Sequence, residues 1–158
     1  MKKIYLFAGI LVFLGIFLFM FMKPSVNGYS ALENFNGDVG FYRSLSCGCC
    51  NLHESYLIRN GNLNVKDIRM DDISSIKNKY KIPSEMQSCH TAVIENYFVE
   101  GHIPLEAINK LIAEKPNIMG IAMPGMPSGS PGMPGTKSGD FVIYAVNSDG
   151  SYDEFMRM

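Results

Sequence analysis

Apolar and polar positions alternate along the chain with changing period, and the period marks the elements. Ile4 to Met22 is apolar and uncharged throughout, which suits a bilayer-spanning helix, for which roughly 20 apolar residues suffice. Asp38 to Arg43 (DVGFYR) is a short β-rich run, and Leu63 to Met70 (LNVKDIRM) alternates with the two-residue period of a strand. Between them Cys49, Leu52, His53 and Tyr56 recur at helical spacing, which predicts a helix capped by Ser46, buried on that face and closed by Asn60-Gly61. Asp71 and Asp72 predict the cap of a second short helix through Tyr80, ended by Ile82-Pro83. Thr91–Ile94 and Tyr97–Val99 flank Glu95-Asn96 as a hairpin. Pro104 opens a third helix with the stripe Leu105, Ile108, Leu111 and Ile112, and Pro116 stops it. From Met119 to Gly139, Pro and Gly recur too densely for regular structure to be expected. Phe141–Val146 and Ser151–Phe155 then form a hairpin about Asp149-Gly150.

The order β-α-β-α-β-β-α predicts an α/β fold of thioredoxin-like arrangement, because right-handed crossovers leave few alternatives. To this core are added a Pro/Gly/Met-rich loop and a C-terminal β-hairpin, with an N-terminal transmembrane helix ahead of it. The organisation expected is residues 1–23 as a membrane anchor or signal segment, 24–37 as a tether and 38–158 as the thioredoxin-like domain. Lys2 and Lys3 hold the N-terminus in the cytoplasm, so the domain is expected in the periplasm or outside the cell, anchored to the inner membrane through residues 4–22. The competing reading is a cleaved signal peptide, for which Gly28-Tyr29-Ser30 before Ala31 is a passable site. Both readings export the domain.

Charge removes one class of function. With 14 Lys and Arg against 15 Asp and Glu there is no basic field to hold nucleic acid. No Gly-rich phosphate loop, paired carboxylates or Ser-His-Asp pattern supports a hydrolase.

The chemistry lies in the cysteines. Three of the four fall in Cys47-Gly48-Cys49-Cys50, where the first strand meets the first helix, and the fourth in Ser88-Cys89-His90-Thr91. In an oxidising compartment the default is two disulfides. Cys47 and Cys50 also fit a C-x-x-C redox pair, since a helix N-terminus favours the thiolate. Cys49 would then pair with Cys89, because adjacent cysteines make a strained bond. A third reading joins Cys47, Cys49, Cys50, Cys89 and His90 into a soft-metal site. Zinc knuckles are absent, so copper is the expected ion. His53, one turn after Cys49, reads first as a substitute for a core aromatic and second as an added ligand. His102 reads as a turn or surface histidine with a weaker claim as ligand. Met123, Met126 and Met133, three of eleven methionines, lie in the Pro/Gly loop, either braced against the domain or offering soft thioethers.

Four stretches in order, CGCC at 47–50, I-P-x5-C-H-T-A at 82–92, VEGHIP at 99–104 and GIAMPGMPSGSPGM at 120–133, resemble the exported family of unknown function numbered four-one-one, which includes the CopG-type copper-resistance proteins. The resemblance spans roughly residues 38–146. It implies a thioredoxin-like fold and copper held by cysteine, with Cys47, Cys49, Cys50, Cys89 and His90 as ligands. The family usually has Trp where this chain has His53. The resulting expectation is a membrane-tethered, exported copper-binding protein serving copper tolerance or trafficking, with copper redox cycling and other envelope copper-handling proteins as partners. The alternatives are a thiol-disulfide oxidoreductase using Cys47 and Cys50, and an interaction module stapled by disulfides.

Overall fold

The structure, a computed structural model, describes residues 28–158. The apolar segment Ile4–Met22 and Lys2 and Lys3 lie outside the described residues. Among the described residues no helix is long and apolar enough to cross a membrane.

The fold is mixed α/β, with a seven-stranded sheet and four helices among the described residues. We number the elements α1 (Ser30–Glu33), β1 (Asp38–Ser44), α2 (Gly48–Gly61), β2 (Asn64–Met70), α3 (Ser74–Lys79), β3 (His90–Ile94), β4 (Tyr97–Glu100), α4 (Leu105–Glu114), β5 (Gly120–Ala122), β6 (Val142–Val146) and β7 (Tyr152–Arg157). The sheet runs β2-β1-β3-β4-β5-β6-β7. β1 is parallel to β2 through the α2 crossover, while β3 lies antiparallel to β1 and to β4. The β-α-β-α-β-β-α order expected from the hydrophobic pattern is therefore present, and so is the closing hairpin.

The core forms where α2 and α4 cover the sheet. Val39 and Phe41 of β1 are fully buried, as are Leu57 of α2 and the whole Leu105, Ile108, Leu111 stripe of α4. Strands buried on alternate positions and a helix buried on one stripe are what the two periods dictate. α4 ends at Glu114 with Lys115 left-handed, directly before Pro116.

Four local expectations need correction. Ser46 is not the cap of α2: Cys47 occupies the N-cap without a side-chain hydrogen bond, and Ser46 Oγ lies 3.5 Å from Ser44 Oγ. The buried face of α2 is Cys50, His53, Leu57 and Gly61, and Leu52 is 59% exposed. The buried set is thus rotated by one residue at Cys50, and Leu52 leaves the core. Residues 119–139 are not wholly irregular, because Gly120–Ala122 makes β5, parallel to β4 and antiparallel to β6. Three residues give no readable period, so only the pairing on both sides reveals the strand. Within the span read as a tether, Ser30–Glu33 forms α1 and docks on α4: Asn109 Oδ1 accepts from the Ala31 and Leu32 amides at 3.0 and 3.3 Å, and Tyr29 donates to Glu106 at 2.8 Å.

Candidate metal centre

Strand register brings the two cysteine motifs together. Arg43 of β1 stands opposite His90 of β3, so the chain entering β3 at Cys89 faces the chain leaving β1 toward Cys47. The Cys47 amide donates to Ser44 O at 3.3 Å, folding the loop back so that the first turn of α2 carries Cys49 and Cys50 inward. The four sulfurs of Cys47, Cys49, Cys50 and Cys89 lie within 4.8 Å of one another. Cys47 and Cys50 form a disulfide, and Cys49 and Cys89 are free. Cys47 Sγ is 3.7 Å from Cys49 Sγ, and Cys50 Sγ is 3.8 Å from the Cys89 carbonyl oxygen. The redox pairing weighed from the sequence is therefore present for Cys47 and Cys50, while the Cys49–Cys89 bond is absent.

Cys89 also belongs to a second grouping. His90 Nδ1 and His102 Nε2 each approach its sulfur to 3.2 Å, and the three donor atoms lie within 4.8 Å of one another. Both rings are buried. His102 is brought there by Gly101, at φ +84°, where a Cβ would sit 2.6 Å from Met123 O, so only glycine allows the turn. The His102 ring then donates from Nδ1 to Pro131 O at 2.8 Å. A carbonyl only accepts, so Nε2 is left as a bare lone pair aimed at Cys89. The surface reading of His102 is thus corrected: it sits in a turn, yet fully inside.

His53 is buried, as the core reading expects, and both of its nitrogens are engaged. Nδ1 is 2.8 Å from His90 Nε2, and Nε2 is 3.0 Å from Ile103 O. The Pro/Gly loop closes over this helix: Gly132, at φ +81°, lies so near that a Cβ would come within 2.6 Å of the His53 amide nitrogen. Of the loop methionines, Met123 is buried in the main core, Met133 half-buried and Met126 exposed.

Burial sets the protonation of the centre. It brings the His53 pKa down to about 3 and holds His90 well below its ordinary value, aided there by the neighbouring His53, His102 and Lys77 charges; burial lowers His102 as well. It pushes the Cys89 thiol up to about 12, with Cys49 adding to the shift. Neutral imidazoles are ready donors, while Cys89 must shed a proton before it can bind a cation, which couples metal to protons.

Sequence reasoning missed the clamp beneath Cys89. Lys77 and Glu100 are both buried and form an ion pair. Lys77 also donates to Ser88 O at 2.9 Å, while Glu100 accepts from the Ser88 amide and from Thr91 Oγ1, each at 2.6 Å. The residues on either side of Cys89-His90 are thereby tied to one pair of charges. No sequence signal marks such a pair, since charged side chains are solvated by default. Arg43 adds a second tie, buried and paired with Asp67 at 2.8 Å.

Together these features define an α/β protein with a cysteine/histidine donor cluster at its first strand–helix junction. Residues 86–133 match the family described as "Protein of unknown function, DUF411". Two solved structures, "Copper resistance protein copG" in Form 2 and in Form 1, are each 36% identical with a TM-score of 0.70, and the likeness covers 77% of this chain and 97% and 96% of theirs. The chain belongs to this DUF411, CopG-type family. No curated protein matches it.

Proposed function

We propose that this protein is a copper-binding protein of thioredoxin-like fold, exported and held at the membrane by residues 4–22, that acts in copper tolerance or trafficking. The observation carrying the reading is the convergence on Cys89 of three further cysteine sulfurs and two histidine ring nitrogens. Thiolates suit Cu(I), and imidazole suits copper in either oxidation state. The name of the similar solved proteins, copper resistance protein, favours copper over other soft ions. The strand order β2-β1-β3-β4, with a cysteine motif at the head of α2, supports the thioredoxin-like label.

The disulfide adds a redox function to this reading. With Cys47 and Cys50 as thiols, four sulfurs are available for Cu(I). With the disulfide formed, Cys49, Cys89, His90 and His102 remain. Oxidation of the two thiols to the disulfide yields two electrons and two protons, enough to reduce two Cu(II) to two Cu(I). The same disulfide favours a second reading, a thiol-disulfide oxidoreductase using Cys47 and Cys50.

The test is anaerobic Cu(I) titration of the reduced full chain in detergent against a competing chelator. Tight binding lost in Cys49→Ser/Cys89→Ser is expected. Absence of tight binding, or full binding by the double variant, overturns the copper reading. Disulfide-exchange turnover that survives removal of Cys89 and His90 favours the oxidoreductase. Recovery of the intact N-terminus from the membrane fraction, by mass spectrometry, tests the anchor.

A further inference from the structure

His53, His90 and the carbonyl of Ile103 form a chain whose hydrogens can be placed one by one. The Ile103 oxygen only accepts, so the His53 nitrogen 3.0 Å from it, Nε2, carries the hydrogen. A neutral imidazole carries one such hydrogen, which leaves His53 Nδ1 as an acceptor. The group 2.8 Å from that acceptor is His90 Nε2, which must therefore be the donor. His90 Nδ1 is then a bare lone pair, and it is the atom that lies 3.2 Å from Cys89 Sγ. The chain is closed at every link: no solvent reaches His53 or His90 to satisfy either ring otherwise.

We propose that His53 is a positioning residue, which through the Ile103 carbonyl fixes His90 as its Nε2–H tautomer and so presents Nδ1 to the metal. The inference rests on the copper reading for its purpose, but the tautomer chain stands in the metal-free protein. A histidine serving only as filler would need neither contact. The ring-to-ring approaches of His53 to Phe41 and Tyr56, with centroids 6.1 and 5.9 Å apart, account for packing and say nothing of which nitrogen points where. The hydrogen bonds do. Hydrogen bonds from the far side of a ligating imidazole orient the ring and raise its basicity, and their loss typically weakens metal binding by about 10–100-fold.

The experiment uses the full chain, reduced and metal-free in detergent, with nitrogen-labelled histidine. Long-range proton–nitrogen NMR is expected to show the hydrogen on Nε2 of both His53 and His90, with a nitrogen–nitrogen coupling across the bond between them. Hydrogen on Nδ1 of either ring, or no coupling, overturns the proposal. Copper affinity is then compared across His53→Phe, which keeps an aromatic ring but offers no acceptor, and His53→Gln, whose amide can accept from His90 and donate to Ile103. A loss of about 10–100-fold in His53→Phe with recovery in His53→Gln is expected. Equal affinity in His53→Phe and the wild type overturns it. Should His53→Phe not fold, the wild-type tautomers decide alone. Correct tautomers with no copper bound would defeat the proposed function and leave the hydrogen-bond chain intact.

Discussion

The cysteines and the histidines of the centre are held in different ways. Cys47 and Cys49 are half-buried on a strand–helix turn whose N-cap makes no side-chain hydrogen bond, and two of the three cysteines there are already joined to each other. His53, His90 and His102 are fully buried, and all six of their ring nitrogens have a partner within 3.2 Å. The sulfur side is held largely by contacts among its own sulfurs, whereas two of the three imidazoles are tied to backbone carbonyls of the fold. Cys89 is where the two meet, and that is why one residue appears in both groupings.

The largest effect is expected where the shared residue is supported. Lys77→Met leaves Glu100 buried without its cation, and breaking such a pair typically costs about 3–5 kcal/mol. Denaturant unfolding of the full chain measures it, and a loss below about 1 kcal/mol would show that the pair does not hold the Cys89 segment. Part of the penalty should be recovered in a Lys77→Met/Glu100→Leu double variant, since apolar replacement of both partners is better tolerated than removal of one. Copper binding separates the two sides further. Loosening Ser88 and Thr91 moves His90 with them, so Lys77→Met should weaken copper binding even where the cysteines are intact.

Acid should act on the imidazole side next. The His53 pKa falls from 6.5 to about 3 on folding, and those of His90 and His102 fall too. Below about pH 6.5 the unfolded chain takes up protons that the folded chain refuses. The His53 contribution is therefore fully present above pH 6.5 and is lost as pH falls toward 3. His53 adds a slope of about 1.4 kcal/mol per pH unit across that window, and His90 and His102 act in the same direction. Stability of the metal-free protein measured from pH 7 to 4 should show this acid limb, and His53→Gln should make it shallower by one histidine. An unchanged slope would mean that His53 titrates alike in both states.

Which parts of this were legible in the sequence follows the same division. The CGCC loop, the α4 stripe and the Glu95-Asn96 hairpin depend on local spacing, and local spacing places them where they are found. Cys89 beside CGCC was legible one step further, through the strand order that the element order implies. On the imidazole side His90 was legible beside Cys89, and His53 and His102 as weaker candidates, but the hydrogen bonds that set the rings were not, because they depend on backbone carbonyls, Ile103 O and Pro131 O, supplied by segments that no periodicity brings near them. Gly101 ahead of His102 was the available signal, since a glycine between a strand and a helix start marks a tight turn or a close backbone approach, here to Met123 O. Lys77 and Glu100 gave none, and β5 gave none beyond three residues free of proline.

The smallest effect expected lies on α2 itself, where the sequence and the structure disagree about which face is buried. Helical spacing alone places Leu52 on the face of Cys49, His53 and Tyr56, but the buried residues are Cys50, His53, Leu57 and Gly61. Cys50 is fully buried with its sulfur 3.8 Å from the Cys89 carbonyl oxygen, and a helix turned to bury Cys50 carries Leu52 out to 59% exposure. Leu52→Ser should then change unfolding free energy by no more than about 0.5 kcal/mol, the range of ordinary surface substitutions. Leu57→Ala, five residues on and fully buried, should cost about 2–5 kcal/mol. Comparable losses at the two positions would return α2 to the rotation that its spacing implies. It would also withdraw Cys50 from beneath Cys89, and with it the meeting of the sulfur and imidazole sides on a single atom.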